Sequence, residues 1–169
     1  MSTAIIKKCF DYLSYPVGYY VPCRYIDGYG ITYSRAKEFV NKGYKLVICV
    51  DNGVSAYEAI NYLKDNNVKV LVIDHHSLPE TLPNIDVLLH PVYSHLGKTA
   101  TSAGFISFMF TRSLLNRSDK YLATLASISL ISDMMPLVSY NRNLSRAVYQ
   151  NYIKGEFLAL DGLFELEDE

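Results

Sequence analysis

Residues 68–80 read VKVLVIDHHSLPE: a short apolar run interrupted by one lysine, then Asp74, His75 and His76, then a turn containing Pro79. A continuous apolar run of this length marks a strand covered on both faces. The run KLVICV (45–50) ends the same way, in Asp51 followed by Asn52 and Gly53. Between them, NGVSAYEAINYLKDNN (52–67) has helical spacing. Strand, helix and strand of this size form a right-handed parallel crossover, which puts both strand ends on one edge of the sheet. Open parallel sheets bind their ligands at that edge.

Working outward, IDVLLHP (85–91) predicts a third strand and VGYYVP (17–22) a fourth. Ile5, Ile6, Cys9, Phe10 and Leu13 fall at helical spacing ahead of Pro16. TYSRAKEFVNKG predicts a helix capped by Thr32 or Ser34 and stopped at Gly43. From about residue 99 the pattern turns helical: TATSAGFISFMFTRSLL, DKYLATLASISLISD and YNRNLSRAVYQNYI. The expected fold class is α/β: a parallel sheet of strands 17–22, 45–50, 68–73 and 85–89 with flanking helices, followed by a helical subdomain. Residues 1–155 form the expected domain, and 156–169 a weaker tail with Gly162 and a final acidic cluster.

The composition of the 169 residues is that of a globular domain, half hydrophobic with a net charge of −1. No broad basic field advertises nucleic acid, although a local groove remains compatible with that total. Cys9, Cys23 and Cys49 show no paired spacing, so neither a disulfide nor a thiolate zinc site is expected, which favours a cytoplasmic setting. No apolar run reaches the ~18 residues of a membrane span. Fifteen tyrosines suggest stacking on nucleic acid, but packing in the core and at its rim is the expectation.

Asp51, His75 and His76 combine carboxylate oxygen with imidazole nitrogen, a donor set suited to Mn²⁺ or a similar divalent ion. A third acid, Asp133, ends the apolar segment ASISLIS and precedes MMPL. Plainer readings exist: Asp51 as a helix cap, the histidines as hydrogen-bonded loop residues, and Asp133 as a turn former. Co-location at one edge favours a metal site. His90 and His95 flank Pro91 and are expected to be solvated loop residues. Gly28-Tyr29-Gly30 lacks the third glycine of a nucleotide fingerprint.

Together, IDHH after a strand, VDNG after the preceding strand, YYVPCRYIDGYGI, and SDMMPL with a following NR resemble the DHH phosphoesterase superfamily. Within it the similarity is to the RecJ family of single-strand-specific 5′→3′ DNA exonucleases, over residues 2–155. The resemblance implies that Asp51, His75 and Asp133 are metal ligands and that His76 sits near metal and substrate phosphate. It implies that Asp74 orients the histidine pair, and that Arg24 and Arg142 hold phosphate or brace the site. The implied chemistry is phosphodiester hydrolysis with two Mn²⁺ or Mg²⁺ ions, and the implied partner is single-stranded DNA.

The family's first motif, Asp-x-Asp-Gly, should stand just before the first helix. Here Met1-Ser2-Thr3 looks like the end of that motif. The C-terminal domain of the family is not represented either. The expectation is therefore a piece of a longer exonuclease, inactive alone, with at most one well-liganded ion and an uncovered sheet edge that promotes self-association. The alternatives are an oligoribonucleotide or cyclic-dinucleotide phosphodiesterase, a manganese pyrophosphatase, or a non-catalytic binding module of the same fold.

Overall fold

The computed structural model describes residues 1–25, 27–94 and 99–165. Its sheet has three parallel strands in the order β1 (Leu46–Val50), β2 (Lys69–Ile73) and β3 (Val87–Leu89). The register sets Leu46 opposite Lys69 and Val50 opposite Ile73, with Leu71 opposite Val87 on the far side. Side chains alternate between the two faces, as strands require. Val47, Cys49, Val70 and Val72 face a core built with Ala36, Ala59, Ile60 and Leu63, from α2 (Tyr33–Asn41) and α3 (Tyr57–Asp65). Leu71 and Ile73 face the other way, against Ile6 of α1 (Ser2–Tyr12) and Ile106 of α4 (Ala103–Leu115), with Ile48 and Val50 beside them. Both faces are covered, which is why the strands read as predominantly apolar runs.

The helices behind the sheet follow the sequence pattern. Thr32 caps α2 by accepting from Arg35 N–H, and Gly43 ends it at φ +77° with its N–H on Val40 O. Beyond β3 come α4, α5 (Lys120–Ser132), α6 (Ser139–Asn151) and α7 (Leu158–Glu165). A second core joins Ile5 of α1 to Phe108, Leu122, Leu125, Ala126 and Leu160. The first of the tail's residues are thus part of the helical half: Leu160 is buried, and Asp161 accepts from Tyr152 Oη and Gly155 N–H.

One predicted strand does not form. Residues 17–22 carry no strand and pair with no neighbour. They lie over α2 instead, with Tyr20 edge-on to Phe39 at 6.5 Å and under the Arg35 guanidinium at 3.9 Å. VGYYVP has strand composition, but composition supplies propensity and not a hydrogen-bonding partner. A second correction concerns the tyrosines: among the described residues none is buried, and eleven are exposed. They form the rim and the surface, not the core.

Candidate metal centre

The β1–β2 register brings the site together. Because Val50 stands opposite Ile73, the next residues on each strand, Asp51 and Asp74, emerge side by side. Asp51 N–H donates to Ile73 O at 2.9 Å, extending the ladder by one rung. Its backbone then turns into the left-handed region at φ +63°, a conformation that Asp tolerates better than most residues. Strain of this kind gathers at functional positions. Asp51 does not cap α3, which begins six residues later at Tyr57.

Gly53 makes the turn possible. At φ +124° it lies flat on the sheet, where a Cβ would come within 3.0 Å of both Val72 methyls and 3.2 Å of Cys49 Cβ. That close approach delivers Val54 N–H to Asp74 Oδ2 at 3.1 Å.

Asp74 is fully buried, and a buried carboxylate is costly unless its oxygens are met by donors. Here they are. Oδ1 accepts from His75 N–H at 2.8 Å, from His76 N–H at 3.3 Å and from His76 Nδ1 at 2.6 Å. With Nδ1–H held by a carboxylate, His76 keeps Nε2 as its free ring nitrogen, the usual device for orienting a ligating imidazole. His76 remains largely exposed. The Asp74 charge, after burial itself, also helps push the Cys49 thiol up to about 12. Cys49 is therefore a buried neutral group, and all three cysteines are free.

His75 Nε2 lies 3.2 Å from Asp51 Oδ1. That hydrogen bond raises the His75 pKa, against the opposing effect of burial, and the charges of Asp51, Asp133 and Asp74 reinforce it. The same bond lowers Asp51. Asp51, His75 and His76 each offer a ligand atom within 4.8 Å of the others, a spacing that a single divalent ion can bridge. Carboxylate plus two imidazoles, without thiolate, fits Mn²⁺ or a similar ion.

The compact trio thus contains His76, whereas the sequence reading gave the third ligand place to Asp133. Asp133 caps the C-terminus of α5 and is held there by Ser129, whose Oγ is 3.4 Å from Oδ2. Its charge contributes to the raised His75 pKa, and it stands outside the trio. Arg24 lies over the Tyr29 ring at 4.5 Å, and the adjoining Gly30 packs on Asn52, next to Asp51. Arg142 stands exposed on α6.

His90 is not a solvated loop residue: it is 4 % exposed, and its Nε2 lies 2.9 Å from His76 O while Nδ1 accepts from Val92 N–H. It braces the second histidine of the pair from beneath. His95 lies outside the described residues. Asn141 was also missed as a structural bracket. Fully buried, it donates to Ala100 O (2.8 Å) and Pro136 O (2.9 Å) and accepts from Thr101 Oγ1 (2.7 Å). It fixes the turn that follows Asp133. Its only sequence signal was its place in the NR pair.

Residues 1–131 match the DHH family, N-terminal domain. The chain belongs to the DHH family. Among curated DHH relatives, the single-stranded-DNA-specific exonuclease RecJ of Haemophilus influenzae is 34% identical over 161 residues, 85% of this chain and 28% of its own length. The Bacillus subtilis RecJ is 27% identical over 168 residues, 98% of this chain and 21% of its own. The crystal structure of exonuclease RecJ bound to manganese superposes with a TM-score of 0.86 at 27% identity, covering 98% of this chain and 43% of that one. RecJ from Thermus thermophilus in complex with Mn²⁺ gives 0.73 at 25% identity, covering 87% and 22%. The chain therefore spans between a fifth and a third of the curated DHH relatives it is set beside. Among the described residues no helix is long and apolar enough to cross a membrane.

Proposed function

We propose that residues 1–155 carry the metal-binding half of a RecJ-type 5′→3′ exonuclease, which hydrolyses phosphodiester bonds in single-stranded DNA in the cytoplasm. The reading rests on one observation above others: Asp51, His75 and His76 converge within 4.8 Å at the carboxyl edge of a parallel sheet. The manganese in both RecJ structures, and the relatives' specificity for single-stranded DNA, support it.

A divalent ion, Mn²⁺ or Mg²⁺, would polarise a phosphate oxygen and lower the pKa of an attacking water. The chain's own residues do the rest. Asp51 and His75 form the ligand pair at the strand ends, with Asp133 completing it from α5. Asp74 locks His76 so that Nε2 faces the scissile phosphate, and His90 supports His76 from below. Arg24 offers its guanidinium from the Tyr29 loop and Arg142 offers a second from α6.

Among the described residues one donor set for an ion is assembled. The second ion of a two-metal mechanism needs carboxylates from elsewhere in a longer protein. The 169 residues alone should bind Mn²⁺ at one site and release no nucleotides processively from 5′-phosphorylated single-stranded DNA. A protein of the relatives' length that includes them should degrade that substrate with Mn²⁺, and His75→Ala in it should abolish the activity. Robust release by the 169-residue chain that survives Asp51→Ala overturns the reading. Among the described residues the outer edge of β1 has no strand neighbour, which favours self-association of the chain, measurable by sedimentation velocity.

A further inference from the structure

α6 starts at Ser139, directly after the turn that follows Asp133 and that Asn141 pins at Pro136. Its buried side is Asn141, with Leu144, Ser145 and Val148 half-buried alongside. At about 100° per residue, Arg142, Arg146 and Tyr149 fall within one arc of about 60° that flanks this buried side. All three are exposed, and Tyr149 is 86% exposed. The stripe runs about 10 Å along the helix at ~1.5 Å per residue.

Nothing in the fold accounts for these two arginines. They lie four apart, where like charges repel. Arg142 sits in the first turns of the helix, where the macrodipole disfavours a cation. Among the described residues neither forms an ion pair or lies over a ring. The helix carries no acid of its own. The arginines at the far end of the helical half are different. Arg112 is in the last turn of α4, where the dipole favours it, and Arg117 lies over the Tyr12 ring at 5.3 Å.

We propose that the exposed face of α6 is a binding track for a single-stranded polynucleotide, in which Arg142 and Arg146 hold successive phosphates and Tyr149 stacks a base. Two unpaired cations match a polyanion, and an exposed aromatic ring one turn further on matches a splayed base. The track begins nine residues after Asp133, on the helix that follows its turn. This rests on the nuclease reading of the metal centre and assigns to it the path of the strand.

The test is fluorescence anisotropy of a labelled single-stranded oligothymidylate with the 169-residue chain in EDTA, across a salt series. Each lost phosphate contact should lower the slope of log affinity against log salt by about 0.7. Arg146→Gln should lose that increment, Arg146→Lys should keep it, and Arg112→Gln should match the unaltered chain. Tyr149→Ser should weaken binding about 5-fold or more with the slope unchanged. No binding, or binding unaltered in both Arg146→Gln and Tyr149→Ser, overturns the proposal, as does equally effective competition by heparin with Tyr149→Ser unchanged. Mn²⁺ binding, followed separately by electron paramagnetic resonance, fails or holds independently, because the track needs no ion.

Discussion

Asp51 and Asp133 are both acids released at the end of an apolar element, yet the molecule holds them by different means. Asp51 is set by the β1–β2 register, a backbone rung to Ile73 and a turn over Gly53. Asp133 ends a helix, and Ser129 Oγ at 3.4 Å is its side-chain partner. Its place depends on how α5 sits against α4 and on the Asn141 bracket. A ladder fixes position through consecutive backbone bonds, whereas a helix end inherits every small shift in the packing beneath it. The sheet side of the site is thus built in advance, and the helical side is adjustable.

The largest effect should come from the sheet side. Asp51→Ala or His75→Ala should lower Mn²⁺ affinity of the 169-residue chain by more than about 100-fold. Asp74→Asn, which weakens the hold on His76 and on the Val54 and His75 N–H groups, should cost about 10- to 100-fold. Asp133→Asn should cost least of these, which Mn²⁺ titration by electron paramagnetic resonance will read. An Asp133→Asn loss as large as that of Asp51→Ala would break the comparison, since it would make the helical side equally preorganised.

Packing beneath Asp133 gives the next effect. A Cβ on Gly104 of α4 would lie 2.5 Å from Ser129 Cβ. Gly104→Ala must therefore push α4 and α5 apart, at about 1–3 kcal/mol of stability. Asn141→Ala should cost a similar amount, because Thr101, Ala100 and Pro136 lose their buried partner. Both are measured by urea unfolding. Gly104→Ala should also weaken Mn²⁺ binding through Ser129 and Asp133, and unchanged binding would show that Asp133 is positioned by something other than this contact.

The same contrast explains what could be read from the chain. The strands 45–50 and 68–73, their acid ends and the helices from residue 99 were legible, because periodicity and turn chemistry report local structure. Residues 17–22 were misread since a strand requires a neighbour, and no property of VGYYVP says whether one is paired to it. The compact trio holds His76 and leaves Asp133 outside it for a related reason. Which side chain reaches an ion depends on how a helix end is carried to the sheet, a tertiary fact. His90 and Asn141 were hidden because a polar residue beside proline, or before arginine, looks like a loop residue until its buried partners are seen.

The smallest effect should arise at the opposite end of the sheet. Asp86, ahead of β3, accepts from Lys64 Nζ at 2.5 Å, from Val70 N–H at 2.8 Å and from Lys69 Nζ at 3.2 Å. The Lys64 bond first, then the Val70 N–H, holds its carboxyl well below the usual carboxylate range. A carboxylate whose folded pKa is depressed stabilises the fold above its unfolded value of ~3.9, and that contribution is lost as pH falls through the folded value. Asp86→Asn should therefore be less stable than the unaltered chain at pH 7, by at most about 1 kcal/mol, the range of pairs in contact with solvent. The difference should shrink progressively below a pH of about 4. Urea unfolding at neutral and acid pH measures it. Mn²⁺ binding should be untouched, because the Asp86 cluster ties β3 and α3 to the start of β2, whereas the ligands leave from the other end of the strands. A loss of Mn²⁺ affinity in Asp86→Asn would mean that the ladder transmits disorder along its length, and that the sheet side is less rigid than its register implies.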